Sequence, residues 1–457
     1  MASSHPMPPN QKPAKPRREG PQRANPRLGP RPLPLHLAAA SLAWTNSLAA
    51  LPLLKSGSLA WRPELRAAAQ SLAGELESAK PDDVAAAVTA EAARRLAAFL
   101  DGLSAYRRHA YRRPESDAPV IWREGTTRIL DYSANDLKGG GEGIPLLVIP
   151  SLINRAYILD LEPERSFLRF LAGEGFRPYL VDWAEPGEAE RGFSLDDYIS
   201  GRLSRALDVV TRHASAKPVA IGYCMGGLLA LGLAQIRQGD LAGLALLATP
   251  WDFHAERIEQ ARLIGAMTPQ FEPLLGLLGE LPVDVIQALF AALDPSLALR
   301  KFLSFAALDP ASAKARQFVA LEDWLNDGVP LAAPVAREAL GNWYGANATM
   351  LGQWKLGDRP VRPAAISLPT IAVIPDQDRI VPPASALALA KAIPTCEVLR
   401  TATGHIGMMA GAKALGEVWQ PLASWLRRLG LSCTATRRPV LSKKPSPARP
   451  ANRRKQQ

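Results

Sequence analysis

The chain has 457 residues, 47% of them hydrophobic, a formal net charge of +11 and three cysteines. That apolar content excludes a mostly disordered protein, and so few cysteines exclude a disulfide framework. The charge is uneven: residues 1–35 carry a net +6 and residues 434–457 a net +8, so the body between them is acidic and is not built as a basic nucleic-acid surface.

Both tails are Pro-rich and poor in large apolar residues, which predicts disorder over 1–35 and 434–457. Such basic arms suit solvation or an anionic surface or nucleic acid as partner. The apolar run Leu37–Leu54 follows a basic stretch containing Arg17-Arg18 and superficially resembles an export leader, but His36, Trp44, Asn46 and Pro52 punctuate it.

Residues 36–118 read as an Ala-rich helical region: helices over Leu37–Leu51 and Ser58–Ser78, the second broken early by Pro63, and a third that starts after Pro81, with Asp82 as N-cap, and runs to Leu103. The third carries Val84, Val88, Ala92, Leu96 and Leu100 at helical spacing, a face that packs on the downstream domain or contacts a granule or membrane.

From residue 119 the period changes. Pro119–Arg123 and Thr127–Tyr132 predict two strands joined at Glu124-Gly125. After the Gly-rich loop 139–143, an alternating series follows: strand Pro145–Ile149, helix Arg165–Gly173, strand Pro178–Trp183, helix Ser194–His213, strand Pro218–Ile221, a helix after Gly227, and strand Leu241–Leu247. Strands alternating with helices predict a doubly wound, mostly parallel α/β sheet over 119–254. Residues 255–362 break the alternation with a helical, Pro-punctuated, aromatic stretch expected to form a lid, in which core packing accounts equally for the aromatic residues. Sheet character resumes over 363–433 with strand Ile371–Ile374, helix Ala384–Ala392, strand Cys396–Arg400 and a last helix to about Leu429.

Gly222-Tyr223-Cys224-Met225-Gly226-Gly227 sits between a strand and a helix, the context of a nucleophile elbow with cysteine in the usual place of serine. The flanking glycines permit a strained nucleophile and close chain approach, and the helix N-terminus would favour negative charge on the sulfur. Alone, the motif fits an inert buried thiol equally well. The remainder of the chain decides: Asp378 and His405 each follow a predicted strand, and the order nucleophile, acid, histidine is that of the α/β-hydrolase triad. Asp376 competes with Asp378 for the acid. Of the other histidines, His5 lies in the tail, His36, His109 and His213 in helical surroundings, and His254 at the start of the lid. An oxyanion hole needs two backbone amides; Met225, after the nucleophile, supplies one, and the loop Pro150–Arg155 the other, with Leu152 chosen and one residue either side open.

The segment Ile149–Leu161, together with Val181-Asp182-Trp183, Leu195–Ile199, the Gly222–Gly227 box, Thr249–Phe253 and Gly404-His405-Ile406, resembles the poly(3-hydroxyalkanoate) synthases over residues 120–430. The chain departs from that pattern at Arg379, where the family usually has histidine, and at Trp251, where it usually has a small aliphatic residue. The resemblance implies that Cys224 carries the growing chain, His405 activates it and Asp378 completes the triad. It further implies a (R)-3-hydroxyacyl-CoA substrate with no separate cofactor or metal, cytoplasmic polyester granules as the place of action, and a homodimer or a helical partner subunit. A hydrolase of the same fold, acting as polyester depolymerase or thioesterase, and a non-catalytic granule- or nucleic-acid-tethering protein are the alternatives.

Overall fold

The computed structural model describes residues 27–133 and 143–435, apart from the side chains of 44–45 and 431–435. The twin arginine, most of the Gly-rich loop, the Cys433 side chain, residues 1–26 of the first basic tail and 436–457 of the second therefore lie outside the described residues.

Eight strands form one sheet. They are β1 Val120–Glu124, β2 Thr127–Asp131, β3 Pro145–Ile149, β4 Arg177–Asp182, β5 Val219–Tyr223, β6 Gly243–Leu247, β7 Thr370–Pro375 and β8 Cys396–Thr401. Their order is β1-β2-β4-β3-β5-β6-β7-β8, with the β1–β2 and β2–β4 pairings antiparallel at one edge and every other pairing parallel. β3, β5 and β6 are buried along their whole length, as their unbroken Leu, Val, Ile and Ala runs require of strands covered on both faces. The first hairpin turns at Gly125-Thr126, one residue later than expected, because Gly125 takes the positive φ of +55°.

Three helices precede the sheet: α1 Leu33–Lys55, α2 Arg66–Ser78 and α3 Pro81–Arg108. The N-cap of α3 is Lys80, not Asp82; Pro81 occupies the first helical position and Asp82 and Asp83 fall in the first turn, where the dipole favours negative charge. The buried face of α3 also differs from the expected stripe. Phe99, Gly102, Leu103 and Tyr106 are buried while Leu100 is exposed, because α3 packs on the cap and not on the sheet. A Cβ on Gly102 would stand 2.2 Å from the Phe302 carbonyl oxygen, so this glycine is what lets the helices cross closely. Residues 27–35, expected in the disordered tail, are instead built into the body: α1 begins at Leu33, and Arg27 is held by a part-buried ion pair. α1 is long and apolar enough to span a membrane; Ala40 and Leu54 are buried, while Leu35, Leu42 and Leu53 are exposed.

Between β6 and β7 the cap contributes α7 Ile258–Leu278, α8 Val283–Ala291, α9 Leu297–Ala306 and α10 Ala313–Asn326, then shorter helical segments to Gly345. Helix α4, Phe167–Gly173, precedes β4, and helix α6, Met225–Arg237, follows β5 directly and is buried from Met225 to Ala234. The expected single helix Ser194–His213 is a wider-wound segment Asp197–Leu203 running into α5 Ser204–Ala214.

Candidate active site

Parallel register brings the carboxyl ends of the central strands to one edge. Ile149 of β3 pairs with Gly222, and Tyr223 pairs with Leu247 of β6, so Cys224 leaves the sheet between its two neighbours. Its backbone is at φ +56°, ψ −126°, a strained conformation for a residue with a side chain. Two contacts hold it: the Cys224 amide donates to Leu247 O at 2.8 Å, and Gly227 N donates to Cys224 O at 2.9 Å. The glycines are required by space. A Cβ on Gly226 would lie 2.1 Å from Ile149 O, and one on Gly222 would lie 2.4 Å from the Gly227 Cα.

Pro375 of β7 pairs with Thr401 of β8, and the loops beyond these strands carry the acid and the histidine. His405 Nδ1–H donates to Asp378 Oδ2 at 2.6 Å, with both side chains buried. The other carboxylate oxygen of Asp378 accepts from the amides of Ile380 and Val381, each at 2.8 Å, which fixes its orientation. Asp376 lies elsewhere: it faces solvent and pairs with Arg400, its Oδ1 accepting from Nε at 2.7 Å. Burial alone would lower the His405 pKa. The charges of Cys224 and Asp378, with a hydrogen bond from the ring to each side chain, outweigh burial and push it up to about 10. The Nδ1 bond leaves Nε2 for the sulfur.

The other described histidines are tied to structure. His254 Nε2 donates to Tyr344 O at 2.9 Å, His109 Nε2 to Pro310 O at 2.9 Å, and His213 sits 3.3 Å from Asp131. His36 Nε2 bonds Arg31 O at 3.2 Å.

Met225, whose amide was expected to serve the oxyanion, is the first residue of α6. The loop after β3 abuts the elbow and is anchored from outside. Trp183 Nε1 donates to Pro150 O at 3.1 Å, Trp324 Nε1 to Arg155 O at 2.8 Å, and Val329 N to Ile153 O at 3.2 Å. The Ile153 amide is taken by Ser151 Oγ at 3.1 Å, and Pro150 has no N–H. The Leu152 side chain is buried in the core.

Two residues at the site carry no recognisable sequence signal. Tyr223 donates its hydroxyl to His405 O at 3.0 Å, and its ring lies 5.3 Å from the imidazole. Tyr344 is half-buried near the site; desolvation first, then the charge of Cys224, pushes its phenol up to about 12. Trp251 is buried beside Trp354, in the aromatic base of the cap that also holds Trp343 and Phe253. Cys224 and His405 open into a cavity of about 290 Å³ whose walls include Ile153, Phe290 and Trp324. Arg379 stands on its exposed rim, bonded to Asp294 at 3.2 Å.

Residues 144–412 match the family model of the alpha/beta hydrolase fold, and residues 115–171 that of the poly-beta-hydroxybutyrate polymerase (PhaC) N-terminus. The poly(3-hydroxyalkanoate) polymerase subunit PhaC of Synechocystis is 30% identical over 292 residues, covering 62% of this chain and 77% of its own. The chain belongs to the poly(3-hydroxyalkanoate) polymerase family. The PhaC subunit of Allochromatium vinosum is 29% identical over 317 residues, covering 68% of this chain and 88% of that one. That of Haloferax mediterranei is 27% identical over 317 residues, covering 67% of this chain, which spans 63% of the relative's length. The α/β-hydrolase fold of this polymerase-family chain thus agrees with the sheet order, the elbow and the cap described above.

Proposed function

We propose that this chain polymerises (R)-3-hydroxyacyl-CoA into poly(3-hydroxyalkanoate) with release of CoA, through a thioester on Cys224. The observation that carries the reading is the positive-φ Cys224 at the carboxyl edge of the sheet, facing a buried His405–Asp378 pair. Cys224 Sγ attacks the thioester carbonyl of a hydroxyacyl-CoA. The tetrahedral oxyanion is met by the Met225 amide and, from the loop after β3, by the Leu152 amide. CoA departs as a thiol with a proton from His405, leaving the acyl group on sulfur.

In the next step the 3-hydroxyl of an incoming unit gives its proton to His405 and attacks the Cys224 thioester; the new ester bond forms as the carbon–sulfur bond breaks. The lengthened chain, still on CoA, returns to Cys224 and expels CoA. Exchange of one thioester for another is nearly balanced, so a cysteine-bound acyl group can await the next hydroxyl, and a dry apolar cavity protects it from water. Asp378 holds the imidazole in the tautomer with Nε2 toward sulfur and stabilises its protonated form.

On this reading the enzyme acts in the cytoplasm at the polyester granule surface, as a homodimer or with a helical partner subunit, and the basic tails are accessory arms for an anionic surface. Purified protein given 3-hydroxybutyryl-CoA should release CoA and form insoluble polyester. Release of CoA with only free acid would make it a hydrolase, and no release would make it a binding protein.

A further inference from the structure

The segment from Arg27 to His36 lies N-terminal to both family-matched regions, 115–171 and 144–412, yet it reaches the catalytic cavity. Pro30, Arg31 and His36 line the same cavity as Cys224 and His405. The segment is pinned at two points, both on the last turn of α10. Arg27, its side chain only 8% exposed, donates to both oxygens of Asp323, from Nε at 2.7 Å and Nη2 at 3.0 Å. The same guanidinium donates to His109 O at 2.6 Å and to Tyr111 O, and stands 5.5 Å from the Tyr106 ring centroid, whose hydroxyl also donates to Asp323. Four residues on, Arg31 N donates to Asn326 Oδ1 at 2.8 Å, and Gly29 lies so close that a Cβ would meet Asn326 Cγ at 2.2 Å.

A bidentate charged pair with two further carbonyl acceptors is a strong, directional clamp. Between the clamps Pro30 is buried, a rigid residue forming wall rather than rim. On the solvent side Arg31 Nε bonds Asp284 at 2.7 Å and is partly exposed. The strap therefore crosses from its Arg27 anchor to the rim of the cavity that Cys224 also lines.

We propose that Arg27–His36 is a substrate-size wall of the polymerase site: held on α10, it limits the acyl groups that reach Cys224. The wall itself is independent of the reaction, whereas its use in selecting the 3-acyl chain rests on the proposed function.

Two readouts keep these apart. In the full-length protein, alkylation of Cys224 is followed by peptide mass spectrometry with iodoacetamide and with a bulky fluorescein maleimide. Arg27→Ala is expected to raise the maleimide rate by about tenfold relative to the iodoacetamide rate, as loss of a charge-assisted clamp opens the strap. Arg31→Ala, at the partly exposed rim, reads the same wall should Arg27→Ala fail to fold, with a smaller rise in the same direction. An unchanged ratio in folded variants overturns the wall. The second readout is CoA release from 3-hydroxyhexanoyl-CoA relative to 3-hydroxybutyryl-CoA; the ratio should rise in both variants. A wild-type protein that turns over neither substrate overturns the proposed function and leaves the alkylation result standing, while wild-type turnover with an unmoved ratio overturns the selective role.

Discussion

His405 donates Nδ1–H to Asp378 at 2.6 Å, while Asp376, two residues earlier, is held on the surface by Arg400. Two carboxylates in one loop are thus separated by what each faces. Asp378→Asn keeps the shape but offers an amide to the ring and loses the charge that favours the imidazolium. It should reduce CoA release by about three orders of magnitude or more. Asp376→Asn should leave the rate within about twofold, since it loses only an exposed pair. The thiol assay of released CoA distinguishes them, and equal losses would contradict the assignment of the acid.

Asp378 illustrates what was legible beforehand. Residue type, chain order and position after a strand singled out Cys224, His405 and the Asp376/Asp378 pair, because the α/β alternation is written in the apolar runs around them. Which aspartate turns inward depends on the bonds from the Ile380 and Val381 amides, a tertiary fact without a periodic signal. The same limit hid Tyr223 and Tyr344. The N-terminal region was misjudged for a related reason. Residues 27–35 have the composition of a tail, and partners remote in the chain, among them Asp323 and Asn326 about 300 positions away, give them a place to dock. Leu100 matched the helical stripe of α3, but the partner surface is the cap around Phe302, which selects Phe99, Leu103 and Tyr106.

The His405 pKa, raised to about 10 from an ordinary 6.5, gives stability a definite pH dependence. Folding favours the protonated ring, so this stabilisation is fully present below pH 6.5 and is lost as pH rises through about 10. The urea midpoint of wild type minus that of His405→Gln should fall across this window. A difference that grew with pH would contradict the sign.

Glu338 supplies a second titration inside the cap. Burial, with the charge of Asp196 adding to it, raises its carboxyl to about 7. The protonated form is favoured by folding, so its contribution is complete below about pH 4.5 and disappears as pH rises through about 7. Glu338→Gln, permanently neutral, should be more stable than wild type at pH 8 by on the order of 1 kcal/mol and equal to it near pH 4.5. Thermal melts at the two pH values test this, and a variant less stable at pH 8 would contradict it.

The elbow predicts a contrast between glycines. At Gly226 a methyl would meet the Ile149 carbonyl and the backbone of Pro150, which cannot move aside without shifting β3. Gly226→Ala should cost about 1–3 kcal/mol and sharply lower turnover. Gly173, at the end of a helix with open space where its Cβ would stand, should accept alanine with no loss of melting temperature.

The central claim is that Cys224 carries the acyl chain. Protein quenched during turnover of 3-hydroxybutyryl-CoA and digested for mass spectrometry should show the Cys224 peptide carrying one or more 3-hydroxybutyryl units, and Cys224→Ala should release no CoA above background. Undiminished CoA release by Cys224→Ala, or acyl groups found only on another residue, would contradict the account.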